Sequence, residues 1–144
     1  MKDATIQAIG AEAVRDYPNE CCGLVIAGLA GERVVSIANI YDRLRALYPD
    51  DYPRTARTAY EMDAATLHRT LEGLAPGEKL TVIYHSHCDA GAYFSEEDAR
   101  AALGGGAVPL FDCDYFVLSI RGGQIAGGRN FRWNGAGFAE VGPV

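Results

Sequence analysis

The sequence predicts a mixed α/β (α+β) domain with a single central, mostly antiparallel sheet flanked by helices. Three observations lead there. The chain has 144 residues, enough to bury one core but too few for a catalytic domain plus a separate recognition domain, so residues 1–144 are read as one unit. Apolar stripes of helical spacing alternate with short β-branched runs. Two glycine-marked turns separate pairs of such runs, and a tight turn joins its strands antiparallel.

Taken in order, residues 3–17 place Ile6, Ile9, Ala13 and Tyr17 three or four apart, the stripe of an amphipathic helix that Pro18 ends. Residues 22–27 and 34–40 read as two strands of a hairpin turning at residues 28–31. Residues 41–60 show no clean periodicity and read as an irregular binding loop or lid. A second helix starts at Asp63 as N-cap, with Met62 and Leu67 as a hydrophobic staple and Leu67, Leu71 and Leu74 as its stripe; Pro76 and Gly77 stop it. Residues 80–84 form a short strand that ends at His85 and delivers it to the sheet edge. A third helix begins near Ser95 and halts at Gly104. Residues 115–120 and 124–133, on either side of Gly122 and Gly123, read as a second hairpin.

About half the residues are apolar, and no apolar run approaches the roughly 18–20 residues of a membrane span. The first fourteen residues carry acidic side chains and no apolar segment, unlike a secretory signal, so a cytoplasmic location is expected. The net charge of −6 argues against nucleic acid as the main partner. The local exception is residues 42–57, where Arg43, Arg45, Arg54 and Arg57 suit an acidic or carboxylate-bearing ligand or, equally, a solvated surface. Cys21, Cys22, Cys88 and Cys113 have no C-x-x-C spacing, which speaks against a zinc ribbon; reduced, buried thiols are expected.

The chemistry concentrates in residues 85–98. Alternate residues of a strand face the same side, so His85 and His87 can aim at one point, and Asp98 in the first turn of the next helix can fold back against them. Three nitrogen and oxygen ligands leave the fourth tetrahedral position of a zinc ion to water, the catalytic rather than the structural pattern. Glu20, at the start of a strand, could reach the same edge as a base. Each piece also has an ordinary explanation: Ser95 with Asp98 forms a capping box, a single histidine at a strand end is commonly structural, and Glu20 alone would be an exposed acid.

In combination, Glu20, His85-Ser-His87, seven residues, Ser95, two residues and Asp98 resemble the JAMM motif of the JAMM/MPN+ metallopeptidases at every defining position. The flanks of Glu20 and residues 60–63 resemble the family too, and the likeness spans about residues 4–131. It implies a fold similar to cytidine deaminases, one Zn2+ per chain held by His85, His87 and Asp98, Glu20 activating water, and Ser95 stabilising the intermediate. Deaminase activity is not implied, because the H-x-E and P-C-x-x-C signature is absent. Cys88 stands where relatives often carry proline, which leaves the rigidity of that loop open.

Short standalone members of this family are associated with ubiquitin-like sulfur-carrier proteins. The resemblance therefore implies a peptidase cutting after a carrier's C-terminal Gly-Gly; the charge of the basic loop makes Arg54 and Arg57 substrate-binding candidates, and Ser86 between the histidines is a third. The alternatives are an isopeptidase on lysine-linked conjugates and a non-catalytic MPN scaffold. A thiol redox protein using Cys21 and Cys22 is disfavoured by the strain of a vicinal disulfide. The sequence leaves the oligomeric state open.

Overall fold

A computed structural model describes residues 1–142. Helix α1 (Asp3–Asp16) buries Ile9 and Ala13 from its expected stripe and ends just before Pro18. Strands β1 (Cys22–Gly28) and β2 (Gly31–Ile37) pair from Cys22↔Ile37 to Gly28↔Gly31, closing a two-residue turn. The second strand thus starts earlier than the sequence suggested. Gly31, at φ 107°, supplies the left-handed backbone that this turn requires.

The supposedly irregular stretch holds a short helix, α2 (Tyr41–Leu47), that the sequence reading missed. Only Tyr41 of it is buried, so two turns carry too short an apolar stripe to stand out. Helix α3 (Ala64–Glu72) starts after Asp63 as expected, but the Asp63 carboxylate accepts from the Thr66 hydroxyl (2.6 Å) and makes no cap hydrogen bond to a helix amide. Met62, Leu67, Leu71 and Leu74 pack on the core, although Leu74 lies past the helix end.

Strand β3 (Lys79–Cys88) does not stop at His85 but runs through both histidines, because its ladder with β4 continues past the end of β1 to Cys88. Helix α4 (Glu96–Leu103) follows, capped by Ser95 and closed by Gly104 in the left-handed conformation at φ 57°. Strands β4 (Asp114–Arg121) and β5 (Gln124–Trp133) form the second hairpin. A short β6 (Phe138–Glu140), absent from the sequence reading, pairs with the end of β5.

The six strands lie in the order β2-β1-β3-β4-β5-β6, antiparallel except for β3 and β4. That one parallel pair needs a long crossover, which the loop and α4 between the strands provide. Each face of the sheet has its own core. On one, Val25, Val82, Tyr84, Phe116 and Leu118 meet α1; on the other, Leu24, Ile26, Ile83, Tyr115 and Val117 pack with Ala102 of α4 and the leucines around α3. No helix among the described residues is long and apolar enough to cross a membrane.

Candidate active site

Period-two alternation along β3 sends Ile83, His85 and His87 to the α4 side of the sheet and Tyr84 and Ser86 to the α1 side. Strand β1 runs antiparallel to β3 with Cys22 opposite His85, and continuing this register by two residues brings Glu20 across from His87. On α4 the buried residues are Asp98 and Ala102, one turn apart. With Ala102 in the core, Asp98 is set one turn nearer the helix N-terminus, over the histidines.

The three side chains converge. His85 Nε2 lies 3.2 Å from Asp98 Oδ1, His87 Nε2 lies 3.3 Å from Asp98 Oδ2, and the two Nε2 atoms are 3.1 Å apart. One ligand atom from each of the three falls within 4.8 Å of the others, so the cluster could hold a metal ion. The local chemistry fits one. The Gly91 carbonyl, 2.9 Å from His87 Nδ1, can only accept, so the proton belongs on Nδ1 and the Nε2 lone pair faces the cluster. Two facing imidazole nitrogens and a carboxylate, all buried, form a donor set that a single proton cannot satisfy.

Burial pushes His85 below the usual imidazole range. His87 is desolvated too, but hydrogen bonds to Asp98 and Gly91 outweigh this and raise it. Burial acts to raise Asp98, yet the bonds from His85 and His87 hold its carboxyl well below the carboxylate range.

These ligands open onto a cleft of about 590 Å³ lined by Glu20, Tyr60, His87, Tyr93, Ser95 and Asp98 together with Arg54 and Arg57. Tyr60 stacks on His85 (ring centroids 4.5 Å apart, 25° between planes), and Tyr93 meets His87 edge-on at 4.9 Å. Ser95 Oγ accepts the Asp98 amide (3.0 Å) while Asp98 Oδ2 accepts the Ser95 amide (2.9 Å). The capping box and the cluster therefore coexist, and the Ser95 hydroxyl proton stays available to donate.

Glu20 is not an exposed acid. It is 5% exposed, its backbone fixed by Ala56 O (2.7 Å to its amide) and by Asn39 Nδ2 (2.9 Å to its carbonyl). Burial pushes its carboxyl up to about 8. The folded chain then holds a proton that the unfolded chain releases above about 4.5, so stability falls as pH rises from that value towards 8. Metal-free Glu20→Gln is expected to match the parent protein near pH 4.5 and to exceed it by on the order of 2–4 kcal/mol at pH 8. Urea unfolding of both at the two pH values reads this directly, and an equal difference at both would refute it.

Of the residues singled out from sequence, the structure brings Glu20, His87, Ser95, Asp98, Arg54 and Arg57 to one cleft, with His85 buried beside it. Ser86 is the exception. It is fully buried on the α1 side, where its Oγ accepts the Cys21 amide (2.8 Å), so its side chain does not line the cleft. Arg54 reaches Glu97 (3.4 Å) and the Thr58 carbonyl (3.3 Å). Tyr60, Tyr93, Asn39 and Gly91 escaped the sequence reading as site residues. The aromatic pair Tyr60 and Tyr93, bracketing the histidines in the chain, was the one available signal; contacts to backbone carbonyls leave none.

The sheet and cluster together define an α/β domain whose central strand and following helix direct three ligand-type side chains at one point. The chain belongs to the family described as prokaryotic homologs of the JAB domain, which residues 2–134 match. Proteins called CysO-cysteine peptidase from Mycobacterium tuberculosis (strain H37Rv) and Mycobacterium bovis are 31% identical over 117 residues, covering 81% of this chain and 69% of theirs. Two solution structures share the fold at 19% identity. One, from Desulfitobacterium hafniense, has a TM-score of 0.65 over 99% of this chain and 89% of its own. The other, from Salinibacter ruber, has 0.58 over 100% and 88%.

Proposed function

We propose that this protein is a zinc-dependent peptidase that hydrolyses the bond after the C-terminal Gly-Gly of a ubiquitin-like sulfur-carrier protein. The observation that carries the reading is the buried His85, His87 and Asp98 cluster sharing one cleft with the buried carboxyl of Glu20. Family membership and the peptidase named among its relatives support it.

Zinc held by these three side chains would polarise the scissile carbonyl and lower the pKa of a water at its open position. Glu20 takes a proton from the attacking water and returns it to the leaving amine. Its position favours that work, since its carboxyl shares the cleft with His87, Ser95 and Asp98. Ser95 donates its free hydroxyl proton to the oxygen on which charge develops. A Gly-Gly tail is extended and has no side chains, so it lies in the cleft lined by Tyr60 and Tyr93 without steric demand beside the cluster. Arg54 and Arg57 face the substrate's acidic groups.

The test is intact-mass analysis of ubiquitin-like sulfur carriers extended beyond Gly-Gly after incubation with the zinc-loaded protein. Loss of the extension supports the reading. No loss from any carrier, with zinc bound, turns it towards an isopeptidase or a scaffold. Reversing both charges (Arg54→Glu with Arg57→Glu) is expected to slow carrier cleavage at least about tenfold, the equivalent of one lost charged contact. An unchanged rate would remove both arginines from the substrate site.

A further inference from the structure

We propose that Asp89 is a positioning residue for the His85, His87 and Asp98 centre: it pins the turn after β3 so that the Gly91 carbonyl stays on His87. The inference rests on the metal-site reading above but adds a residue outside it. Asp89 is the one non-glycine residue among those described with a left-handed backbone (φ 58°). A side chain in that conformation costs free energy, and such positions persist when surrounding contacts over-determine them.

Here the contacts are on hand. The Tyr17 hydroxyl, just past the end of α1, donates to the Asp89 carboxylate, 2.8 and 3.0 Å from its two oxygens. The Gly122 amide, in the turn between β4 and β5, donates to Asp89 Oδ1 (2.8 Å), and the Asp89 amide donates to the Ile120 carbonyl (2.7 Å). One residue on, Ser119 Oγ donates to the Ala90 carbonyl (2.5 Å). The next carbonyl is that of Gly91, which accepts from His87 Nδ1 (2.9 Å).

Three consecutive residues are thus tied in sequence to the end of α1 and the β4–β5 turn, to β4, and to the imidazole. The bond to Gly91 selects the His87 tautomer and ring orientation, which is how a partner behind a ligand governs its ligation. Asp89 acts at the far end of that tether. Without its carboxylate the bonds from Tyr17 and Gly122 are lost and only the Asp89 amide and the Ser119 hydroxyl hold the left-handed turn, which can then relax so that the Gly91 carbonyl leaves the ring.

The test compares Asp89→Ala and Asp89→Asn with the parent protein by two readouts. The first is the His87 Nδ1 proton in ¹H–¹⁵N spectra of metal-free protein. The second is Zn2+ affinity by chelator competition. Asp89→Ala is expected to lose the slowly exchanging proton signal and to weaken Zn2+ binding by about 10- to 100-fold. Asp89→Asn should restore both, because asparagine tolerates the left-handed backbone and keeps an acceptor for Gly122. A parent-like signal and affinity in Asp89→Ala would overturn the proposal. Should Asp89→Ala fail to fold, Tyr17→Phe, which removes one donor, is read in its place: a weakened signal supports the tether and an unchanged one refutes it. If the parent protein binds no Zn2+, the metal reading fails, while the proton signal still decides the role of Asp89.

Discussion

Glu20→Gln is expected to keep Zn2+ at parent affinity and to lose carrier cleavage by about 100- to 10,000-fold, the range that a general base contributes. Glutamine preserves the volume in a site that is 5% exposed and leaves the backbone contacts to Ala56 and Asn39 intact, so the change is confined to proton transfer. Because it also removes a carboxyl disfavoured by burial, the metal-free variant should be at least as stable as the metal-free parent above neutral pH, so urea unfolding of that form separates misfolding from lost turnover. Single-turnover cleavage followed by mass spectrometry, with metal content measured on the same sample, makes the comparison. Cleavage at the parent rate would remove Glu20 from the mechanism.

His87→Ala and Asp98→Ala are each expected to abolish stoichiometric metal binding, since either leaves two ligands where catalytic zinc sites use three. The two should differ in stability. His87→Ala spares the capping box, whereas Asp98→Ala removes the carboxylate that accepts the Ser95 amide and should cost about 1 kcal/mol more. Ser95→Ala is the control, losing the cap at Asp98 N but keeping all three ligands. Metal analysis after dialysis, with thermal unfolding of each variant, separates the two effects. Retention of one equivalent of metal by Asp98→Ala would remove Asp98 from the ligand set.

The local parts of this site were legible in the chain. Ser95 and Asp98 are three residues apart, so the capping box forms within one turn, and the cap and helix lie where that spacing predicts. The same period-two rule that put His85 and His87 together also required Ser86 to face away, and the structure places it on the α1 side with the Cys21 amide. Helix α2 and strand β6 escaped because each is short and carries few buried residues, which leaves no periodic signal. The loop after Cys88 is held by the hydrogen bonds of Asp89 and Ala90, and contacts across so much chain have no signature in spacing.

Local spacing was enough for the longer helices and strands, the shared face of the two histidines and the capped turn carrying Asp98, because each depends on residues within one turn or one pleat of each other. Long-range packing alone sets Glu20 across from His87, runs β4 parallel beside β3, and folds α4 back so that Asp98 bridges both imidazoles. Those pairings are chosen by which faces bury together: Leu24 and Ile26 of β1 must share a core with Ile83 of β3 and Ala102 of α4. That shared burial, not any local preference, fixes the register that brings four distant side chains to one cleft.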